Sequence, residues 1–141
     1  MLEVGQVLGL RIRFNNSGDI SSKKHPYLIV DVDNVLNTVE VLQMDSLAGK
    51  EYKATFRSNK VIYCDNPFEP VVDKDSYVQL DNKFTLELYD GLTKYRRQTD
   101  KLSDGKLKDV IQAYRNYHSN HHLDENKIIF MEQDEIEELN S

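Results

Sequence analysis

The chain has 141 residues and a mass of 16.4 kDa, a length that suits one domain with a sizeable core. Apolar residues make up 39% and charged residues 30%, which excludes a disordered, collagenous or membrane-spanning chain. The net charge is −6, but residues 124–141 carry seven acidic side chains against Lys127 alone, so residues 1–123 are neutral. Because residues 1–123 have no net charge, the composition does not exclude binding to a polyanion.

The N-terminal third of the chain predicts three strands. Residues 8–14 alternate apolar and polar side chains, and this two-residue period indicates a strand with one buried face and one basic face. Residues 15–24 are polar and lack periodicity, so they predict a loop. Apolar runs at 27–32 and 35–44 flank the Asp33-Asn34 pair, which predicts a hairpin.

The middle of the chain predicts further strands. Residues 52–56 and 61–64 indicate a second hairpin around Ser58-Asn59, and residues 76–80 indicate a fifth strand. From Leu86 onward the apolar residues take a helical spacing.

One helix is predicted near the C-terminus, from Asp104 to about Tyr117, with Ser103 as its N-cap and residues 118–122 as its end. Its apolar positions recur every three or four residues, at Leu107, Val110, Ile111 and Tyr114. Strands followed by a helix indicate an α+β fold, with a small curled antiparallel sheet packed against the C-terminal helix. We expect a domain at 1–123 and an acidic C-terminal extension at 124–141.

The compartment is indicated by two features. The first nine residues lack the basic region and apolar stretch of a secretory signal. Cys64 has no second cysteine with which to form a disulfide within the chain. Both features favour the reducing cytoplasm.

Two motifs resemble a known family. Residues 24–30 read Lys-His-Pro-Tyr-Leu-Ile-Val, and residues 74–81 read Lys-Asp-Ser-Tyr-Val-Gln-Leu-Asp before an apolar Phe-Thr-Leu run. Gly5-Gln6 precedes the first motif, and residues 99–109 lead into the last helix. The order of these segments along the chain is similar to that of the MazF/PemK (Kid) toxins. The resemblance covers roughly residues 2–120.

The resemblance implies a compact, SH3-like β-barrel with a C-terminal helix, as a homodimer. It also implies an endoribonuclease that cuts single-stranded RNA without a metal or other cofactor and is neutralised by an antitoxin bound across the dimer groove. Such cleavage proceeds by attack of the RNA 2′-hydroxyl on the adjacent phosphate. That reaction needs a base, an acid and a cation or hydrogen-bond donors for the phosphorane oxygens.

Three catalytic positions follow from the resemblance. His25 stands where most members have the Arg of an Arg-Pro pair, so Lys23 or Lys24 would have to supply the permanent charge. The hydroxyl position of the family falls on Ser46 or its neighbour Asp45. Asp81 matches the acid of PemK-type members, although Gln79 replaces their Arg two residues earlier. Each position also has a purely structural alternative. His25 would be a surface histidine, Asp45 and Ser46 an ordinary strand exit, and Asp81 a carboxylate that caps a turn.

A basic set of residues is the candidate RNA-binding surface. Its members are Arg11, Arg13, Lys23, Lys24 and Arg57. Tyr27 or Tyr52 would stack on bases, and the alternative is a solvated face. His118, His121 and His122 are not joined by a cysteine, so a helix-terminus interaction is favoured over a metal site.

The alternative function is a noncatalytic protein-binding module on the same fold. The CcdB gyrase poisons are of this kind but use a Trp-containing C-terminal motif, and this chain has no Trp. If His25, Ser46 and Asp81 lie in one cleft, the enzyme hypothesis is favoured. If they are far apart, the binding-module hypothesis is favoured. The acidic extension either competes with RNA for Lys23, Lys24 and Arg57 or packs as a short element on its own domain.

Overall fold

The computed structural model describes residues 1–64 and 69–141. Within these residues, seven strands and two α-helices follow one another. They are β1 (Val7–Leu10), β2 (His25–Asp33), β3 (Thr38–Ser46), β4 (Asn59–Ile62), β5 (Ser76–Gln79), β6 (Lys83–Glu87), α1 (Asp104–Asn120), β7 (Ile128–Met131) and α2 (Gln133–Leu139). The fold is therefore α+β, as the element order predicted.

The long strand β3 organises the sheet. On one edge it pairs with β2, and on the other its first half, 38–41, pairs with β6 while its last residues, 44–46, pair with β5. β1 extends the sheet beyond β2, and β4 extends it beyond β5. All pairs are antiparallel except β6 with β7, which is parallel. The sheet is not closed on itself.

Two apolar clusters lie on the two sides of β3. Val39 and Val41 belong to the first cluster, whereas Leu42 and Met44 belong to the second. This division follows from the pleat, because successive side chains of a strand point to opposite faces. The second cluster is closed by α1 through Val110. Consecutive residues at the end of β3 therefore also face different sides.

The predicted hairpin at 27–44 is confirmed as β2 and β3. The turn is longer than expected, because Asn34–Asn37 connect the strands and leave Val35 exposed. The Asp33 carboxylate accepts the backbone N–H groups of Val35 and Leu36, and Asn37 takes a positive φ of 54°. An Asx-type turn of this kind accommodates the extra residues.

Two expectations for the middle of the chain were wrong. Residues 52–56 are not a strand: Glu51–Thr55 form a 3-10 turn, and β4 pairs with β5 instead. This turn buries none of its residues, so no sheet face fixes it as a strand. The stretch from Leu86 does not begin a helix, because Phe84 and Leu86 are buried with the two-residue period of strand β6. The helical conformation that follows is a short 3-10 segment at Asp90–Tyr95.

The predicted helix is confirmed as α1, which runs three residues beyond Tyr117. Ser103 occupies the N-cap position, but its side chain makes no capping hydrogen bond. Within the part of the chain that the structure describes, no helix is long and apolar enough to cross a membrane.

The C-terminal segment is built into the domain. Ile129 and Met131 of β7 and Ile136 of α2 are at most 2% exposed and belong to the first apolar cluster. Glu135 forms an ion pair with Arg13, and Glu137 forms one with Lys94. The segment therefore packs on its own domain, the second of the two alternatives, because Ile129, Met131 and Ile136 are core residues. Glu135 and Glu137 are paired with residues other than Lys23, Lys24 and Arg57.

Candidate active site

His25 and Asp45 lie next to each other where β2 begins and β3 ends. The register pairs Tyr27 with Gln43, and two more residues of the same antiparallel pairing bring His25 opposite Asp45. Residues opposite each other on one face are side-chain neighbours. The charge of His25 contributes to lowering the pKa of Asp45, as this proximity requires.

Lys50 completes a charged cluster with these two residues. Its Nζ lies 2.6 Å from Asp45 Oδ2, and the two side chains are 43% and 33% exposed. Burial opposes ionisation of Asp45, but hydrogen bonds from Lys50 and from the backbone N–H of Ser46, with the charges of Lys50 and His25, lower its pKa overall. Asp45 is therefore an anion held by the Lys50 ammonium, and it accepts protons poorly at neutral pH.

Tyr77 lies on the other side of Asp45 from His25. It is paired with Asp45 across β3 and β5 and is only 2% exposed. Burial raises the pKa of Tyr77, and the Asp45 charge raises it further. Tyr77 therefore keeps its proton and can donate a hydrogen bond. His25, Asp45, Lys50 and Tyr77 form what we call the His25 cluster.

The structure distinguishes Asp45 from Ser46, which the sequence could not. Asp45 faces the His25 cluster, whereas Ser46 points to the opposite face because the two are consecutive strand residues. The Ser46 hydroxyl accepts the N–H of Ala48. Ser46 also lines a cavity of about 230 Å³ at the same end of the sheet.

Asp81 lies away from the other two predicted catalytic residues. Ser76 is opposite Ser46 at one end of β5, and Asp81 follows the other end of that strand, which lies at Gln79. Its carboxylate pairs with Lys127 at 2.8 Å. His25, Ser46 and Asp81 do not converge on one cleft; the structure brings His25 to Asp45 and Lys50 instead.

The candidate RNA-binding residues divide into two groups. Arg13 is held by the Glu135 carboxylate and by the carbonyl of Phe130, and Arg11 donates to the carbonyl of Ser21. These two arginines are engaged within the fold. The remaining three side chains are exposed: Lys23, Lys24 and Arg57.

The two tyrosines proposed for base stacking differ in exposure. Tyr27 is fully buried, and burial raises its pKa to about 12, so it is a core residue and cannot stack on RNA. Tyr52 is 60% exposed and packs edge-on against Phe56, which is 44% exposed. Lys53 lies over both rings. This pair and its lysine form an exposed aromatic and cationic surface.

The C-terminal histidines have partners at the end of α1. His118 Nε2 is 2.8 Å from the Leu80 carbonyl, and its ring packs against Tyr114. The His121 ring stacks on Tyr117 and bonds its carbonyl. Within residues 1–64 and 69–141, no three His, Cys, Asp or Glu side chains are arranged to hold a metal ion.

Lys50 and Tyr77 are candidate functional residues that the sequence analysis did not identify. Lys50 lies in a Gly-Lys-Glu run that resembles an ordinary strand exit, and Tyr77 lies on a strand whose pattern predicts a buried aromatic. The pairing of β5 with β3 brings Tyr77 to Asp45, and Lys50 reaches Asp45 from the turn after β3. A scan against protein-family models and a search of curated proteins found no match to this chain.

The lowered pKa of Asp45 predicts a pH dependence of stability. A carboxylate whose folded-state pKa is depressed stabilises the fold above its unfolded-state pKa of about 3.9, and the gain is lost as pH falls through the lower folded value. We expect the Asp45→Asn free energy of unfolding, measured in urea, to fall less between about pH 5 and pH 2 than that of the parent. Asp100→Asn, at an exposed position, is the control and should follow the parent curve.

Proposed function

We propose that the protein is a metal-independent endoribonuclease of the MazF/PemK type, acting on single-stranded RNA in the cytoplasm. The observation that carries the proposal is the His25 cluster, where an imidazole, a carboxylate and an ammonium meet at the end of β2 and β3. The motif that resembles the toxin family contains His25 itself. We also propose that the open sheet corresponds to the curled, SH3-like barrel of that family.

His25 is the base in this proposal. Its imidazole takes the proton of the RNA 2′-hydroxyl as the 2′-oxygen attacks phosphorus. The bond from phosphorus to the 5′-oxygen breaks, which leaves a 2′,3′-cyclic phosphate on one product. The leaving 5′-oxygen takes a proton from solvent, which reaches the partly exposed cluster.

Asp45 and Lys50 have different electrostatic roles in this proposal. The Lys50 ammonium stabilises negative charge on the phosphorane oxygens, a role that needs a cation near the reacting phosphate. Asp45 is a positioning residue, because its ionised carboxylate fixes Lys50 and lies beside His25. The Tyr77 hydroxyl, which keeps its proton, helps to hold Asp45 in place.

The exposed Tyr52 and Phe56 rings suit unstacked bases, since base stacking on an aromatic ring contributes about 1–3 kcal/mol. Tyr52 also contributes electrostatically to the pKa of Lys50, as expected for a neighbour of the His25 cluster. We expect Tyr52→Ala to weaken binding of a single-stranded oligonucleotide by at least about fivefold, measured by fluorescence anisotropy. The exposed Tyr63 is the control, and an equal loss in Tyr63→Ala would contradict a specific stacking site.

The proposed partners are a second copy of the chain and an antitoxin. Along α1, Leu107 and Ile111 lie in an open groove of about 540 Å³, and β4 is an edge strand. A sheet edge and an apolar helix surface of this kind are suited to association. We expect a homodimer by light scattering at micromolar concentration, and a strict monomer would contradict RNA binding across two subunits.

A cleavage assay tests the proposed function. The purified chain, free of other proteins, is incubated with a long unstructured RNA in the presence of EDTA, and the product ends are mapped. Discrete cuts with 2′,3′-cyclic phosphate ends are expected. Cleavage that stops in EDTA would overturn the metal-independent reaction.

A noncatalytic binding module is the second candidate. The separation of Asp81 from His25 favours it, because the complete three-residue site is not assembled on one cleft. This candidate predicts no RNA cleavage under any condition and a complex with another protein through the same face. The EDTA assay therefore distinguishes the two.

A further inference from the structure

Residues 11–21 form a small hairpin between β1 and β2, which we call the hairpin arm. Arg13 and Ile20 form an isolated antiparallel bridge, and the backbone N–H of Phe14 donates to the Asp19 carbonyl at 3.0 Å. Residues 16–20 at the tip of the arm are exposed. A two-stranded hairpin is only marginally stable on its own and needs to pack against another element.

Arg13 ties the hairpin arm to the C-terminal segment, residues 124–141. Its guanidinium makes a forked contact with the Glu135 carboxylate of α2, with Nε 2.7 Å from Oε2 and Nη2 3.2 Å from Oε1. Nη2 also donates to the Phe130 carbonyl of β7 at 2.8 Å. A forked arginine–carboxylate pair fixes direction as well as distance, so this contact holds the arm in one orientation.

Asn16 and Asn140 fasten the hairpin arm at two further points. The Asn16 side-chain amide donates to the Glu125 carbonyl at 2.6 Å, and the Asn16 backbone N–H donates to the Asn126 side chain at 3.0 Å. At the other end of the arm, the Asn140 side chain accepts the Arg11 N–H at 2.7 Å and donates to the Arg11 carbonyl at 3.0 Å. The C-terminal segment therefore holds the arm at its base and near its tip.

The end of the hairpin arm fixes the chain just before His25. The Ser21 backbone N–H donates to the Ile12 carbonyl at 3.0 Å, and the Ser21 carbonyl accepts from Arg11 Nε at 2.9 Å. Ser21 is buried, and β2 begins at His25. Residues 22–24 are therefore a short span between two fixed points.

Lys23 and Lys24 are the cations of this span. Both side chains are exposed, and neither has a hydrogen bond or ion pair with any residue in the ranges 1–64 and 69–141. Because the span is short, both lysines stay close to His25 while Ser21 is anchored. Groups that are held near their bound position lose less conformational entropy when a ligand binds.

We propose that the C-terminal segment is a brace that holds the hairpin arm and thereby positions Lys23 and Lys24 for the RNA backbone beside His25; this inference rests on the proposed RNA cleavage. Arg13 is the central positioning residue of the brace. It joins segments that lie 122 residues apart in the chain. The acidic C-terminal segment then assists RNA binding, because its Glu135 carboxylate is used to hold the arm.

Arg13→Gln tests the brace in the cleavage of a short oligonucleotide that contains a mapped cut site. We expect KM to rise about fivefold or more, because the two lysines lose their fixed position over the phosphates. The value of kcat should stay close to that of the parent, because His25 itself is held in β2 by its pairing with Leu10. Arg13→Lys should recover part of the loss, since lysine keeps the charge but not the planar fork.

RNA binding without cleavage gives a second measurement. In a His25→Ala background, Arg13→Gln should reduce the slope of log K against log salt by up to about 1.4, the value for two phosphate contacts on a single strand. The same reduction is expected when Lys23 and Lys24 are both replaced by Gln. Adding Arg13→Gln to that double variant should then change the slope little.

Lys94→Gln is the charge-matched control. It also removes one cation that pairs with α2, because Lys94 Nζ lies 2.7 Å from the Glu137 carboxylate. Lys94 itself belongs to the 3-10 segment Asp90–Tyr95 and not to the hairpin arm. Its KM should match that of the parent. An equal rise of KM in both variants would show that RNA binding depends on the general stability of α2, which would overturn the proposal.

Hydrogen exchange gives a readout that needs no RNA. The backbone amides of Phe14 and Ser21 are hydrogen-bonded within the hairpin arm, and in Arg13→Gln they should exchange about tenfold faster while the amides of the β2–β3 pairing keep the parental rates. Parental exchange in the arm, or faster exchange with an unchanged KM, would overturn the brace and leave the proposed function intact. A parent chain that neither cuts nor binds RNA would overturn the proposed function and the role of both lysines with it.

Discussion

His25→Ala should reduce RNA cleavage by about 100-fold or more, the scale expected for loss of a general base. Of the side chains in the His25 cluster, the imidazole has the ordinary pKa nearest to neutral pH. Asp45 is held ionised by Lys50, and Tyr77 keeps its proton. The measurement is the initial rate of appearance of cyclic-phosphate ends at pH 7.

The control for this variant is His122→Ala, at an exposed position after α1. It removes the same side chain away from the His25 cluster, and its rate should match that of the parent. His25→Ala is expected to remain folded, because His25 is only partly buried at the start of β2. A folded His25→Ala protein that cuts at the parental rate would remove His25 from the mechanism.

Ile129→Ala should lower the free energy of unfolding by about 2–5 kcal/mol, whereas Ile128→Ala, one residue earlier on the same strand, should change it by about 0.5 kcal/mol or less. Ile129 is 2% exposed and paired with Phe84 across β6, but Ile128 is 45% exposed. Both substitutions lower β-propensity to the same degree, so the difference between them reports burial. Urea unfolding curves measure both values.

Deletion of residues 124–141 extends this prediction. The truncated chain loses Ile129, Met131 and Ile136 from the first apolar cluster and leaves the β6 edge unpaired. We expect it to aggregate or to lack a cooperative unfolding transition. A truncated protein with the parent's unfolding midpoint would show that these residues are an appendage after all.

Local sequence patterns determined much of the architecture. The apolar runs on either side of Asp33-Asn34 predicted the β2 and β3 hairpin, because two such runs around a turn pair are typical of paired strands. The three- and four-residue spacing predicted α1, because that period places apolar side chains on one face of a helix. The same rule failed at 52–56, where an apolar and aromatic stretch has no sheet face to cover and forms an exposed 3-10 turn. Periodicity predicts burial only where a neighbouring element provides the core.

The C-terminal segment shows the same limit more strongly. Its acidic composition indicated an extension outside the domain. A count of charges gives no information about which apolar residues of the segment are buried. Three apolar residues decide its position, because Ile129, Met131 and Ile136 complete the first apolar cluster. A parallel pairing of β7 with β6 joins residues more than 40 positions apart, and no local pattern encodes such a contact.

The candidate site was determined by sequence only in part. The Lys-His-Pro motif identified His25, but the sequence left Asp45 and Ser46 as alternatives because adjacent residues align equally well. The pairing of β3 with β2 and β5 places Asp45 beside His25 and Tyr77, whereas Ser46 lies on the other face. Lys50 reaches Asp45 from the turn after β3, and Tyr77 reaches it from β5. Only the tertiary structure, which sets distances between remote segments, brings these side chains together at the strand ends.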